Sequence, residues 1–529
     1  MLHKKIIITL LFAGTLVSCT KNYSTINQNP TSPSAVPLDY LFGQVQLQFA
    51  GSAGDPGYTE WRANLIYCMP QIQQMASLGS FYSGDKYLYS ATNAASGAYF
   101  GTSDGEGNYP NSIKNMVNLL VQARLDSATN TNLLAMTKIL WVMQMSIMTD
   151  LYGDIPYFQA GLGYLGQNFT PAYDPQSAIY PDMLNLLSQA VAGLSSSAAI
   201  PTAADFAYGG NLTSWAHLAN SLMLRLGMRL QRVDPTNAQK WVTQALAGGV
   251  FASNAETYAL QYSGGATYNI NANSYNLGPS DGVHRNVVIG GNLQWSSTFI
   301  YKMQARHDPR IGQISNVGPT QSNTDVLMGD TASAVQLGLP NGLDNAPGTT
   351  NIDIYSTMNP LTFASTAPDI MITYAEVEFL KAEAEARGWA TGNPATEFAL
   401  GQAAALNQMV SYNAGFAFTP TQVSAYQAYN PYPTAGGLDS AVSAIQTECW
   451  LLWADTYNGY EAWASWRRTG YPVLTPVNYP GNYSNATIPR RLIYPAEEAT
   501  LDAAAYQAAV ARMGGDQFTT KVWWDGGTD

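Results

Sequence analysis

Charge is scarce in this chain. Asp, Glu, Lys and Arg together make up 11% of 529 residues, and acidic groups outnumber basic ones 36 to 24. Nucleic acid is thereby a poor partner, because its phosphates need a basic footprint. Cysteine is scarcer still, with three residues, so no disulfide framework is expected. Cys68 and Cys449 either pair in an oxidising compartment or sit reduced in the core, and the core is the expected place. Histidine occurs four times, and no H-E-x-x-H, C-x-x-C or EF-hand spacing is present. A glycine-lysine phosphate loop is missing too, so no metal and no cofactor is expected.

Long apolar runs are absent except at the start. Lys4 and Lys5 precede "IIITLLFAGTLV", about a dozen apolar residues, which is the layout of a secretory leader and too short for a comfortable membrane span. Leu16-Val17-Ser18-Cys19 then resembles a bacterial lipobox, in which Cys19 is acylated and becomes the first mature residue. Each buried acyl methylene contributes roughly 0.8 kcal/mol, so two or more chains anchor stably. Residues 1–18 read as the leader and 19–36, polar with two prolines, as a tether. Residues 37–529 are expected to form a single domain.

Tyrosine is plentiful, at 33 residues. With so few charges, Asn, Gln, Ser, Thr and Tyr must cover the surface. Such a surface suits a neutral ligand met through hydrogen bonds and aromatic faces.

Helical periods dominate the rest. They are expected at 37–50, 111–128, 132–151, 175–194, 212–234, 235–249, 372–389, 394–412 and 439–470. The 132–151 stretch is apolar almost all round and should be buried. Thr213 or Ser214 is the expected cap before Trp215. Adjacent helices with short links and small residues such as Ala375, Ala382, Ala384 and Ala386 suit stacking of tetratricopeptide-like pairs. The expected fold is mainly α, a helix-pair scaffold whose long irregular loops (51–110, 250–350, 413–438) carry the ligand site. "YNINANSY" (268–275) alternates and reads as a short strand or an irregular edge.

Several motifs invite chemistry and fail on context. "GTSDG" places Ser103 in a G-x-S-x-G pattern, but its flanks offer neither strand nor helix. Glu376, Glu378, Glu383 and Glu385 crowd one helix, where capping, pairing with Lys381 or Arg387, or facing water explains them. Trp463, Trp466, Arg467 and Arg468 read as a helix end with core tryptophans and arginines bound to carbonyls or carboxylates. Loop aromatics differ, since nothing in their spacing demands burial. The candidate ligand residues are Trp61, Tyr82, Tyr87, Tyr89, Tyr268, Tyr275 and Trp295, with Asn269, Asn271 and Asn273 as hydrogen-bond partners.

Taken together, "TDLYGDIPYFQA" (149–160), "DFAYGGNLTSWAHLANSLMLRLGMRL" (205–230), "RHDPRI" (306–311), "GLPNGLD" (338–344), "MITYAEVEFLKAEAEARGW" (371–389), "GYEAWASWRRTGYPVL" (459–474) and "IPRRLIYPAEEA" (488–499) resemble the SusD/RagB family of outer-membrane nutrient-binding lipoproteins of Bacteroidetes. The resemblance runs in order over nearly the whole mature chain. It implies a tetratricopeptide-like helical fold, an outer-membrane, lipid-anchored and cell-surface location, and a TonB-dependent SusC-type transporter as partner. It also implies capture of a glycan, or in some members a peptide, without catalysis. Two positions depart from the pattern: "CTKNY" lacks acidic residues after Cys19, and Asp502 and Ala504 stand where asparagines are expected. An enzyme, most plausibly a glycosidase, would instead need two carboxylates facing one cleft about 5–10 Å apart.

Overall fold

A computed structural model describes residues 36–51, 57–78, 83–89, 97, 99–101, 107–265, 269–277, 293–318, 329–344 and 351–529. The principal helices are α1 (Leu38–Phe49), α2 (Lys114–Leu125), α3 (Thr131–Tyr152), α4 (Gln176–Gly193), α5 (Leu212–Arg229), α6 (Pro235–Gly248) and α7 (Ser297–Ala305). They continue with α8 (Tyr374–Ala386), α9 (Pro394–Gln408), α10 (Pro420–Tyr429), α11 (Gly437–Asp455), α12 (Gly459–Thr469) and α13 (Ala503–Met513). The fold is mainly α, as the periods predict, and consecutive helices pack as pairs: α1 on α2, α3 on α4, α5 on α6, α8 on α9 and α11 on α12. Pairs then stack, α4 on α5 and α8 on α11, in tetratricopeptide-like fashion. Gly401 of α9 shows how close the approach is, for a Cβ there would lie 2.7 Å from the Phe379 ring of α8.

Side-chain caps set the helix starts. Asn211, rather than Thr213 or Ser214, caps α5, its Oδ1 accepting from the N–H groups of Thr213 and Ser214. Both Asn and Ser are good caps, and here the earlier residue takes the two free donors of the first turn. Asp234 caps α6 ahead of Pro235, and Thr419 and Gln422 form a reciprocal capping box at α10. The predicted helix over 439–470 is two helices, broken at 456–458, where Asn458 restarts the chain by accepting from Glu461 N–H.

Several helical stretches lie inside segments that show no helical period. Glu60–Cys68 is π-helical, and its i→i+5 bonding moves the apolar repeat off 3.6 residues. In α10 only Tyr426 is buried, so the helix has no apolar stripe to reveal it. Ser296 starts α7 by accepting from Phe299 N–H. The expected strand at "YNINANSY" is corrected: Ala272–Leu277 is a short helix. Asn271 accepts from Asn273 N–H and donates to the carbonyls of Ala367 and Pro368, while Asn276 donates to Gly57 O. Those amides hold a turn that alternation alone does not encode.

Strands are two to four residues long and pair antiparallel: β1 (Met75–Ala76) with β5 (Gln294–Trp295), β2 (Ile155–Pro156) with β3 (Tyr173–Asp174), β4 (Tyr258–Leu260) with β8 (Asp369–Ile372), and β6 (Ser315–Asn316) with β7 (Thr357–Met358). They tie loops to the helices rather than forming a layer.

One large apolar core runs through all the helix pairs, and Trp215, Trp295, Trp450, Trp453, Trp463 and Trp524 are wholly inside it. Each such ring contributes roughly 1.5–3 kcal/mol by leaving water. Cys68 and Cys449 are buried and unbonded.

Buried ion pairs fasten distant elements. Arg310 lies between Asp308 and Asp455 of α11, at 2.6 and 2.7 Å. Arg468 of α12 binds both carboxylate oxygens of Glu383 of α8, which also receives Arg387. Arg225 and Arg229 of α5 reach Glu376 and Glu461. Arg467 donates to the carbonyls of Asp150 and Arg490. Glu376 and Glu383 of α8 and the arginine pair are thus structural. No described helix is long and apolar enough to cross a membrane.

Candidate functional site

Three stretches far apart in sequence are clamped into one frame. Asp85, fully buried, accepts from Gly342 N–H at 2.9 Å, and Asn341 donates to Met75 O at 2.8 Å. Tyr87 holds the third stretch twice: its phenol accepts from Val477 N–H and its carbonyl from Tyr483 N–H. Gly84 has no alternative here, because a Cβ would lie 2.0 Å from Ile66 O. Burial pushes the Asp85 carboxyl up, while the adjacent Lys86 ammonium and the Gly342 N–H pull it back.

On this frame stand the rim side chains. Tyr479 donates to both oxygens of Asp344, and the Lys86 ammonium lies 5.9 Å from the centre of the Tyr479 ring. The bond to Asp344 raises the Tyr479 phenol above its ordinary pKa and fixes it as a donor. Tyr483, 56% exposed, meets the half-buried Tyr89 edge to face, centroids 5.8 Å apart. Tyr355 and Ile352 pack on a small satellite core of Ala76, Leu78 and Leu339 just beneath. The result is aromatic faces beside a carboxylate and amides. Sugar C–H patches pack on such faces, and hydroxyls donate to such acceptors.

The structure sorts the predicted ligand residues. Tyr89 stands on the rim. Tyr87 and Trp295 are core residues at 0% and 1% exposure, which corrects their expected role as stacking faces. The Trp295 indole donates to Ile314 O while its ring stacks on Phe299 at 4.6 Å. Trp61 is buried under the Arg62 guanidinium, 4.2 Å from its ring. Asn271 and Asn273 are interior too, held in the turn described above. Asn269 closes a local loop by accepting from Ser263 N–H, and Tyr275 is half-buried on the short helix. Tyr82, Tyr268, Ser103 and Cys19 lie outside the described residues. The sequence reading missed Asp344, Tyr479 and Tyr483. "NYPGNYSN" (478–485), a tyrosine-bearing Pro-Gly-Asn turn beyond the last long helix, was the available signal.

A second cavity, deep between α1, α3, α5 and α12, has about 60 Å³ of room and is lined by Glu60, Tyr99, Arg225, Asp369 and Tyr460. Burial pushes Glu60 up to about 7, against hydrogen bonds from Asn64 and Tyr460, and holds Asp369 well above the carboxylate range. Neither has an ion pair among the described residues, and no described cluster of three or more His, Cys, Asp or Glu fits a metal ion.

Residues 41–495 match the family model SusD-like, described as starch-binding and associating with the outer membrane. A chitin-binding protein of known structure is 28% identical, with a TM-score of 0.78 over 92% of this chain and 100% of that one. A SusD-like protein described as Bacteroidetes AC2a is 25% identical, with a TM-score of 0.80 over 93% and 100%. A SusD homolog from Bacteroides uniformis is also 25% identical, with a TM-score of 0.72 over 92% and 99%. No curated protein matches the chain.

Proposed function

The chain belongs to the SusD-like family, carbohydrate-binding proteins rather than enzymes, and from that premise we propose that it is a lipoprotein anchored through Cys19 that binds an oligosaccharide and delivers it to a TonB-dependent SusC-type transporter in the outer membrane. Residues 37–529 act as one binding domain, and residues 19–36 tether it to the outer face of the membrane. The glycan lies along the rim, its ring faces on Tyr483 and Tyr89 and its hydroxyls on Asp344. The observation that carries this reading is that the Tyr479–Asp344 pair and the Tyr483–Tyr89 pair, with Tyr483 exposed, stand on one clamped frame. The family description and the chitin-binding relative point to α-glucans and N-acetylated β-glycans as the first ligands to try.

Affinity electrophoresis through gels cast with α-glucan, soluble chitin derivatives and other polysaccharides tests it, with sugar release assayed in parallel. Retardation without release is expected. Release of sugar, or migration unchanged in every gel, overturns the proposal. Mass spectrometry of the amino terminus, with a Cys19→Ser control, tests the anchor.

A further inference from the structure

The stretches that build the rim carry one sign of charge on their outside. Among the described residues of 75–78, 83–89, 338–344, 351–355 and 475–487, the charged side chains are Asp85, Lys86, Asp344 and Asp353. Asp85 and Lys86 are buried and 3.3 Å apart, and the Lys86 ammonium also donates to Ser77 O. That pair is neutral as a whole and closed to solvent. Asp344 and Asp353 are exposed. A uronate or a sulfated sugar would meet like charge there, with no exposed base on these stretches to receive it.

Asp344 is both held and free to bind. Its two oxygens share the single Tyr479 phenol proton, and it makes no ion pair among the described residues. A carboxylate offers about four acceptor positions, so most of them stay open to a ligand. The mount is stiff. Asn482 donates to Tyr479 O at 2.7 Å and accepts from the N–H groups of Ser484 and Ala486, which fixes the turn that runs from Tyr479 to Tyr483. Four residues of chain span at most about 14 Å, a distance that a few linked sugars cover. A ring face on Tyr483 and a polar group on Asp344 thus lie within reach of one oligosaccharide.

We propose that the rim selects glycans that carry free amino groups, such as glucosamine chains, with a sugar ammonium on Asp344 and a neighbouring ring face on Tyr483. This rests on the glycan reading of the rim and names the class of sugar that the rim favours. A hydroxyl or an acetamide N–H gives Asp344 an ordinary hydrogen bond. An ammonium gives a charge-assisted one, about twice as strong. Solvent and salt reduce that gain to a few-fold at an open site. The formal net charge of −12 adds to it, drawing a polycationic chain toward the protein and turning an acidic one away.

Isothermal titration of the purified chain with three β-1,4-linked hexasaccharides tests this. Chains of glucose, N-acetylglucosamine and glucosamine differ only in the group at C2. At about pH 5.5 carboxylates are charged and amines protonated. In low salt the glucosamine chain is expected to bind about threefold tighter than the other two, or more. That advantage should vanish in Asp344→Asn and in about 0.5 M salt. It should persist in Asp39→Asn, which removes an exposed acid of α1. Tyr483→Ala should weaken all three. Equal affinity for the three chains overturns the proposal, as does an advantage that survives Asp344→Asn or is lost equally in Asp39→Asn. Indifference to Tyr483→Ala, or hexalysine binding as tightly as the glucosamine chain, overturns it too. If none of the three binds while other polysaccharides still retard the chain in gels, this inference falls alone. If no polysaccharide does, the glycan reading falls with it.

Discussion

The Tyr479 phenol reaches both carboxylate oxygens of Asp344, at 2.7 and 2.9 Å, across 135 positions of sequence. Both residues are open to solvent, so the pair adds little to folding. Its worth lies in fixing an exposed carboxylate against the turn that also carries Tyr483.

Tyr483→Ala is expected to weaken glycan binding about three- to tenfold, the loss of one aromatic contact of ~0.5–1.5 kcal/mol. Asp344→Asn keeps the shape and loses a charged acceptor, so a similar or larger loss is expected. Isothermal titration on the glycan that retards the chain in gels measures both. Unchanged affinity in both variants would move the ligand off this rim.

Arg310→Met should be among the most damaging single changes in the core. It leaves Asp308 and Asp455 buried without their cation, at a cost of about 3–5 kcal/mol. Burial already raises Asp455 to about 7 despite the guanidinium. Adding Asp455→Asn to the Met variant should recover part of the loss, read from urea melts.

Acid should undo the α8–α12 clamp. Burial opposes the charge of Glu383, yet Arg468 and Arg387 overcome it and hold its pKa down to about 2. A lowered carboxylate contributes stability above its unfolded value of 4.5 and loses it as the pH falls toward 2. That contribution is about 3 kcal/mol. Glu383→Gln should therefore be less stable than the parent at pH 7 and approach it near pH 2, as melting curves across that range would show.

Glu60 works in the opposite direction. Its pKa is raised to about 7, so its protonated form favours folding below pH 4.5, and that contribution is lost as the pH climbs through 7. Glu60→Gln is a neutral isostere of the protonated form. It should melt with the parent at pH 4 and be more stable at pH 8 by about 3 kcal/mol. Identical melting at both pH values would mean that Glu60 titrates normally.

Much of the scaffold was legible because helix pairs advertise themselves. The apolar 132–151 stretch became α3, and the link between its neighbours left little choice but antiparallel packing. Glu376, Glu383 and Arg468 were read correctly as structural, since charges at helical spacing on an otherwise apolar face need partners. The site was harder to see. Tyr87 and Trp295 look like ligand rings because they lie outside helical periods, but irregular backbone in a large protein is packed too. Their burial comes from Val477, Ile314 and Phe299, partners no local pattern names. Asp344 and Tyr479 meet only after residues 135 positions apart are brought together, and one-dimensional spacing holds no record of that.

In the rim's frame the main-chain groups of Gly342, Met75, Val477 and Tyr483 are all met by three residues, Asp85, Asn341 and Tyr87. Main-chain groups are the same whatever side chain they carry. Substitutions at the outward positions of these turns that spare Asp85, Asn341 and Tyr87 can therefore accumulate without loosening the mount, so the face the turns present can change while the architecture stays.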